Sequence, residues 1–195
     1  MVIYLIRHSM PDVASDVCYG QTDVKLLRWH LERTAKRLKK QVLAGANVNI
    51  FSSPSKRCVQ LARAISRGPC RIKVDRRLSE LNFGNWEMKS WDDIEDEAML
   101  KWAGNFIYEQ VPGGESYAQL YERVCDFWKM LTDKNSRDEE AIICTHSGVI
   151  KAILTHILEM PLKNSLAFKF RYGDTIRVEL SDHQQYQVEF MPRDY

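Results

Sequence analysis

Three short apolar runs in this 195-residue chain end on residues that are costly to bury. Residues 2–6 (VIYLI) run into Arg7 and His8, and residues 48–51 (VNIF) run into "SSPSKR", with Arg57 in the first turn of a helical stretch. Residues 141–144 (AIIC) run into Thr145, His146, Ser147 and Gly148, where a third helical pattern opens. Continuous runs of this length fit strands buried on both faces. Helical periodicity fills the intervals. Residues 25–43 place Leu27, Leu31, Ala35, Leu38 and Val42 on one side, and "SSPSKRCVQLARAI" offers Ser53 as a cap with Pro54 at the first helical position. "YAQLYERVCDFWKML" follows a turn at "PGGES", and "GVIKAILTHIL" follows the third run. Residues 71–74, 175–180 and 186–191 read as further strands. The alternation predicts one α/β domain over 1–195, a three-layer sandwich with a mostly parallel central sheet and helices on both faces. Residues 82–111, rich in Trp, Asn and acidic side chains, predict a helical and loop excursion over the strand C-terminal ends.

Composition narrows the function classes. A formal net charge of +2 supplies no broad field for nucleic acid or an anionic membrane, so an anion site has to be local. The basic run "KRLKK" has no interleaved aromatics and reads as a solvated helix face. Five cysteines, with no C-x-x-C pair, read as packed thiols of a reducing compartment, and no ligand cluster points to a metal. The chain opens directly into a strand, and no apolar run approaches membrane-spanning length. A cytoplasmic protein without metal or cofactor is expected.

In an open parallel sheet the three strand ends point the same way, and ligands bind in the crevice outside them. Arg7, His8, Arg57, His146 and two helix N-termini would then converge. Helix N-termini add free N–H donors and positive partial charge, and the guanidinium fork suits phosphate oxygens. Singly, each residue is ordinary: a histidine after a strand is more often a hydrogen-bonded structural group, and Arg57 alone reads as a surface residue. Their coincidence at three strand ends points to an anion pocket. Phosphoryl transfer needs an in-line nucleophile, charge neutralisation and an acid for the leaving alkoxide. His8 and His146 are both candidates for the nucleophile, and Asp12, Asp23, Glu80, Glu87 and Glu115 for the acid.

"LIRHSMP", "SSPSKRCVQLA", "RLSELNFGNWE", "PGGES" and "CTHSGVI" occur in the order found in the histidine phosphatase superfamily, in its phosphoglycerate mutase-like branch, which this chain resembles from residue 3 to about 155. By position the resemblance implies that His8 is the nucleophile that becomes phosphohistidine. It also implies that Arg7, Arg57 and His146 hold the phosphoryl oxygens and that Glu80 gives a proton to the leaving group. "RHSMPDVASDVCYGQTD" and "HSGVI" resemble the α-ribazole phosphatases of cobalamin biosynthesis, which implies hydrolysis of α-ribazole 5′-phosphate, a small-molecule phosphate monoester. Ser9, Gln21, Thr22 and Ser147 fall at substrate-side positions; a turn built on Gly20 and Asp23 is the plainer explanation of Gln21 and Thr22.

The chain departs from the commoner R-H-G-E-T at Ser9, Met10 and Pro11, and from H-G-G at Ser147. These changes touch the loop framing the leaving group rather than the core chemistry. Trp86, Trp91, Trp102, Phe106 and Tyr108 offer a lid for an aromatic base, against the plainer reading that they pack the excursion's own small core. The alternatives to an α-ribazole enzyme are a broad-specificity or sugar-phosphate phosphatase, a mutase, a protein-phosphohistidine phosphatase and a non-catalytic regulator.

Overall fold

The computed structural model describes residues 1–42, 48–66, 71–133 and 140–193. The C-terminal end of the 25–43 helix pattern, at Leu43, and one cysteine, Cys70, lie outside the described residues. A six-stranded sheet forms from β1 (Val2–Arg7), β2 (Asn49–Ser52), β3 (Ile72–Val74), β4 (Glu140–Thr145), β5 (Thr175–Leu180) and β6 (Tyr186–Phe190). Its order is β3-β2-β4-β1-β5-β6. The β3-β2, β2-β4 and β4-β1 pairs are parallel, whereas β5 and β6 join antiparallel, so the sheet is mixed at one edge.

Period-two alternation sorts the strand side chains into two cores. Ile3, Leu5, Phe51, Ala141 and Ile143 face one side, with α4 (Tyr117–Leu131) and α5 (Ser147–Ile157) packed on them. Tyr4, Ile6, Ile50, Ile142 and Cys144 face the other, under α1 (Arg28–Gln41) and α2 (Lys56–Ile65). Ile3, Leu5, Ile6, Ile142 and Ile143 have no exposed surface, and each such side chain contributes about 1.5–3 kcal/mol of burial. The three layers follow directly from runs that are apolar at every position.

Several boundaries move for tertiary reasons. α1 starts at Arg28 because the preceding segment is drawn into a bridge between Pro11 and Leu26, with Leu27 N–H donating to Met10 O. α2 is entered from Ser55, not Ser53, and Pro54 precedes the helix. A short 3-10 segment, Leu162–Ala167, follows α5. The excursion contains two 3-10 turns, Gly84–Trp86 and Trp91–Asp93, and α3 (Asp96–Gly104). Trp86, Ile94 and Val111 bury against Cys18 from the loop after β1, with Phe83, Trp91, Ala98, Met99 and Trp102 packed around them. Trp86 and Trp102 meet edge to face at 5.7 Å, while Tyr108 is exposed. Most of the expected lid aromatics therefore pack the excursion's own core. No helix among the described residues is long and apolar enough to cross a membrane.

Candidate active site

The register places the site. Arg7 pairs with Thr145 and Ser52 with Cys144, so His8, Ser53 and His146 leave the sheet side by side. α1 and α5 leave the neighbouring strands β1 and β4 to opposite faces, which opens the crevice where open α/β sheets bind ligands. The rings of His8 and His146 stand edge to face at 5.2 Å.

His8 Nδ1 lies 2.7 Å from the carbonyl oxygen of Ser9, so Nδ1 carries the proton and Nε2 presents a lone pair. Burial holds the His8 pKa well below the ordinary histidine value, and the positive charges of Arg57 and Arg7 lower it further. His8 is thus a neutral, oriented imidazole near neutral pH. His146 is likewise lowered by burial, then by Arg57 and His8. Its Nδ1 accepts from Arg57 Nη2 at 3.2 Å, leaving Nε2–H to donate to Ser53 Oγ at 2.8 Å. Ser53 therefore works as the partner of a histidine 93 residues away, and its hydroxyl is not a helix cap.

Both arginines are fixed by carbonyls. Arg7 Nη1 donates to Phe170 O at 2.6 Å, and its guanidinium lies 4.0 Å from the centre of the Tyr172 ring. Arg57, with no exposed surface, donates to Thr22 O at 2.8 Å and to Gly20 O. The Nε atoms of both arginines are buried without a partner among the described residues. Buried guanidinium donors call for an acceptor, and tetrahedral oxyanions supply several. The residues fit a phosphoryl group on that ground.

Contacts separate the five carboxylates that sequence left equivalent. Glu87 accepts from the N–H groups of Gly20, Gln21 and Thr22; burial alone would raise its pKa, but those bonds outweigh it and hold the pKa low. Asp23 Oδ1 accepts from Lys56 N at the start of α2. Glu115 pairs with Arg123, and Asp12 is exposed. Only Glu80 reaches the histidines' helix: its Oε2 accepts from Gly148 N at 3.1 Å, two residues past His146. Glycine at 148 lets the carboxyl group come this close, because a Cβ would stand 2.3 Å from Glu80 Oε1.

The four weaker candidates divide. Gln21 Nε2 donates to Glu80 O at 3.1 Å, and Thr22 holds Arg57 through its carbonyl, so both border the pocket. The Ser9 hydroxyl instead meets His30 Nδ1 at 2.9 Å and Thr34. Ser147 opens α5 and is half-buried. Sequence reasoning missed Arg123, which donates to the carbonyls of Arg77, Ser79 and Glu80 and so fixes the backbone at Glu80. It also missed Lys151, half-buried and close enough to Glu80 and Arg7 to feel both charges. Tyr19 and Tyr172 were missed as well; their hydroxyls meet at 2.8 Å over the two arginines. Lys151 alone carried a signal, lying one helical turn beyond Ser147.

The sequence model of the histidine phosphatase superfamily (branch 1) matches residues 3–191. The chain belongs to the histidine phosphatase superfamily. It is a phosphatase of that superfamily, and curated relatives share its length. A Hydrogenobacter thermophilus protein named for phosphoserine phosphatase is 28% identical over 167 residues, 83% of this chain and 81% of its own. The adenosylcobalamin/alpha-ribazole phosphatase of Escherichia coli is 25% identical over 179 residues, 89% of this chain and 87% of its own. Among solved structures, the alpha-ribazole phosphatase from Shigella flexneri superimposes with a TM-score of 0.88 at 21% identity, covering 98% of this chain and 96% of that one. That likeness establishes the fold.

Proposed function

We propose that this histidine phosphatase hydrolyses α-ribazole 5′-phosphate through a phosphohistidine on His8. The observation that carries the chemistry is the bare Nε2 of a neutral His8 set among Arg7, Arg57 and His146, where two buried guanidinium Nε atoms lack acceptors among the described residues. In the first step Nε2 attacks phosphorus and the bond to the leaving alkoxide breaks. Glu80, held beside α5 by Gly148 N–H, gives that alkoxide its proton. In the second step water attacks the phosphohistidine, Glu80 takes the water's proton, and phosphate leaves with His8 restored. Arg7 and Arg57 carry the charge on the phosphoryl oxygens throughout, removing the repulsion that would otherwise meet a nucleophile.

The substrate assignment rests on the "RHSMPDVASDVCYGQTD" stretch and on relatives named as α-ribazole phosphatases. A broader phosphomonoesterase is the second reading, favoured by Lys151. This cation near Glu80 has no ion-pair partner among the described residues and suits a leaving group that carries a carboxylate. The test is turnover in buffer without added metal of α-ribazole 5′-phosphate, phenyl phosphate, fructose phosphates, phosphoserine and 3-phosphoglycerate. A preference of at least tenfold, about 1.4 kcal/mol, for the ribazole ester is expected, with acid-labile phosphate trapped on the wild-type protein and absent from His8→Ala. A smaller preference sinks the ribazole assignment. Normal turnover by His8→Ala sinks the phosphohistidine.

A further inference from the structure

The organic part of a phosphate ester leaves the pocket on a side set by its walls, and one wall is built from two tyrosines. Tyr19 comes from the loop after β1 and Tyr172 from the turn before β5, 153 residues apart, yet their hydroxyls are 2.8 Å from each other. Each ring also lies against an arginine of the site: Tyr172 at 4.0 Å from the Arg7 guanidinium and Tyr19 at 5.3 Å from that of Arg57. The Tyr172 ring is 5.6 Å from the ring of His8. The phenol pair thus spans from one arginine to the other.

Both ends of this span are anchored. The Tyr19 loop is held by Glu87 through three backbone N–H groups, and by Arg57 through the carbonyls of Gly20 and Thr22. Tyr172 precedes Gly173, whose φ of +77° disfavours any side chain, and whose N–H donates to the carbonyls of Arg7 and His8. Asp174 then accepts from Arg171 N and pairs with Arg193. Burial raises the Tyr19 pKa, and the bond to Tyr172 raises it further, so Tyr19 stays a neutral phenol.

Tyr172 also lines a cavity of about 400 Å³ whose other walls include Met10, Trp29, His30, Arg33 and Lys36 and none of Arg7, His8, Arg57 and His146. The carboxylate proposed as acid stands beside Gly148, at the start of α5, while the backbone carbonyl of Glu80 accepts from Gln21 Nε2.

We infer that the hydrogen-bonded Tyr19–Tyr172 pair is a fixed bar that sets the size limit of the ester. It confines the leaving group to the Glu80 side and shuts the phosphate pocket off from the neighbouring cavity. The bar admits slender esters such as a primary sugar phosphate and turns away wide ones. This inference rests on the phosphatase reading of the site and adds the residues that determine specificity.

The test is the ratio of kcat/KM for 4-methylumbelliferyl phosphate to that for phenyl phosphate, in wild type and in Tyr172→Ala. Loss of the ring joins pocket and cavity, and the ratio is expected to rise at least tenfold even though turnover of phenyl phosphate falls with the lost Arg7 contact. Tyr172→Leu keeps apolar volume against His8 while removing the phenol, and covers the case in which the alanine variant does not fold; its ratio is expected to rise at least threefold. A merely structural role slows both esters together, so a ratio within twofold of wild type in the folded variants overturns the bar. Wild-type protein that turns over neither ester removes the phosphatase reading, and the bar with it.

Discussion

Gly148→Ala separates catalysis from folding at the residue where the two meet. A Cβ at this position stands 2.3 Å from Glu80 Oε1 and 3.2 Å from its Cδ, and ordinary contact begins near 3.4 Å. The carboxyl group therefore has to retreat by about 1 Å, which lengthens the 3.1 Å bond from Gly148 N to Oε2 beyond hydrogen-bonding range. Losing one hydrogen bond costs about 0.5–1.5 kcal/mol, and a misplacement of about 1 Å costs on the order of 100-fold in rate. The two figures describe one displacement and are not summed. Stability changes little: the helix preference of alanine over glycine, at most about 1 kcal/mol, offsets the lost bond, and the strain falls on a side chain that is only half-buried. The expected protein melts within a few degrees of wild type, yet its kcat on an alkyl phosphate is about 100-fold lower. A p-nitrophenyl ester, whose leaving group needs little protonation, loses under tenfold. Steady-state kinetics on both esters with a thermal melt decide it. Equal losses on the two esters, or none, refute the placement of Glu80 as the acid.

Acid should unfold this protein early. Burial and the neighbouring arginines hold the folded pKa of His8 and His146 below the unfolded value near 6.5, so below that pH the unfolded chain binds protons that the folded chain refuses. Stability should therefore fall as the pH drops from 7.5 to 5.5, through the unfolded-state value near 6.5, and a flat urea midpoint across that range in wild type contradicts it. Arg123→Met removes the donors to the Arg77, Ser79 and Glu80 carbonyls and strands Glu115; about 3 kcal/mol of stability should go, with a fall in kcat larger than any change in KM. Urea unfolding and kinetics on one preparation check both halves.

What was legible in the chain, and what was not, divides by whether a residue's role is set next to it or across the fold. Residues 2–6 and 141–144 are apolar at every position, and that alone requires two covered faces and a parallel pair. Once those strands lie in one sheet, Arg7, His8 and His146 have nowhere to stand except together. Ser53 shows the opposite case. Beside Pro54 it looks like a helix cap, but its hydroxyl is taken by His146 from 93 residues away, and the helix begins two residues later from Ser55. The antiparallel β5 (TIRVEL) and β6 (YQVEF) alternate apolar with charged or polar residues, as strands with one wet face do, in contrast to the continuous apolar runs of β1 and β4. The carboxylates make the point most sharply. Glu80 and Glu87 sit seven residues apart in one segment with the same chemistry. Glu87 is held as a carboxylate by three N–H groups of the Tyr19 loop, and Glu80 is left beside the helix that follows His146. Swapping those partners would swap the residues' roles. Under the mechanism proposed above, which carboxyl serves as acid is a property of the loop after β1, and substitutions around Gly20 should bear on proton donation although no residue there gives a proton.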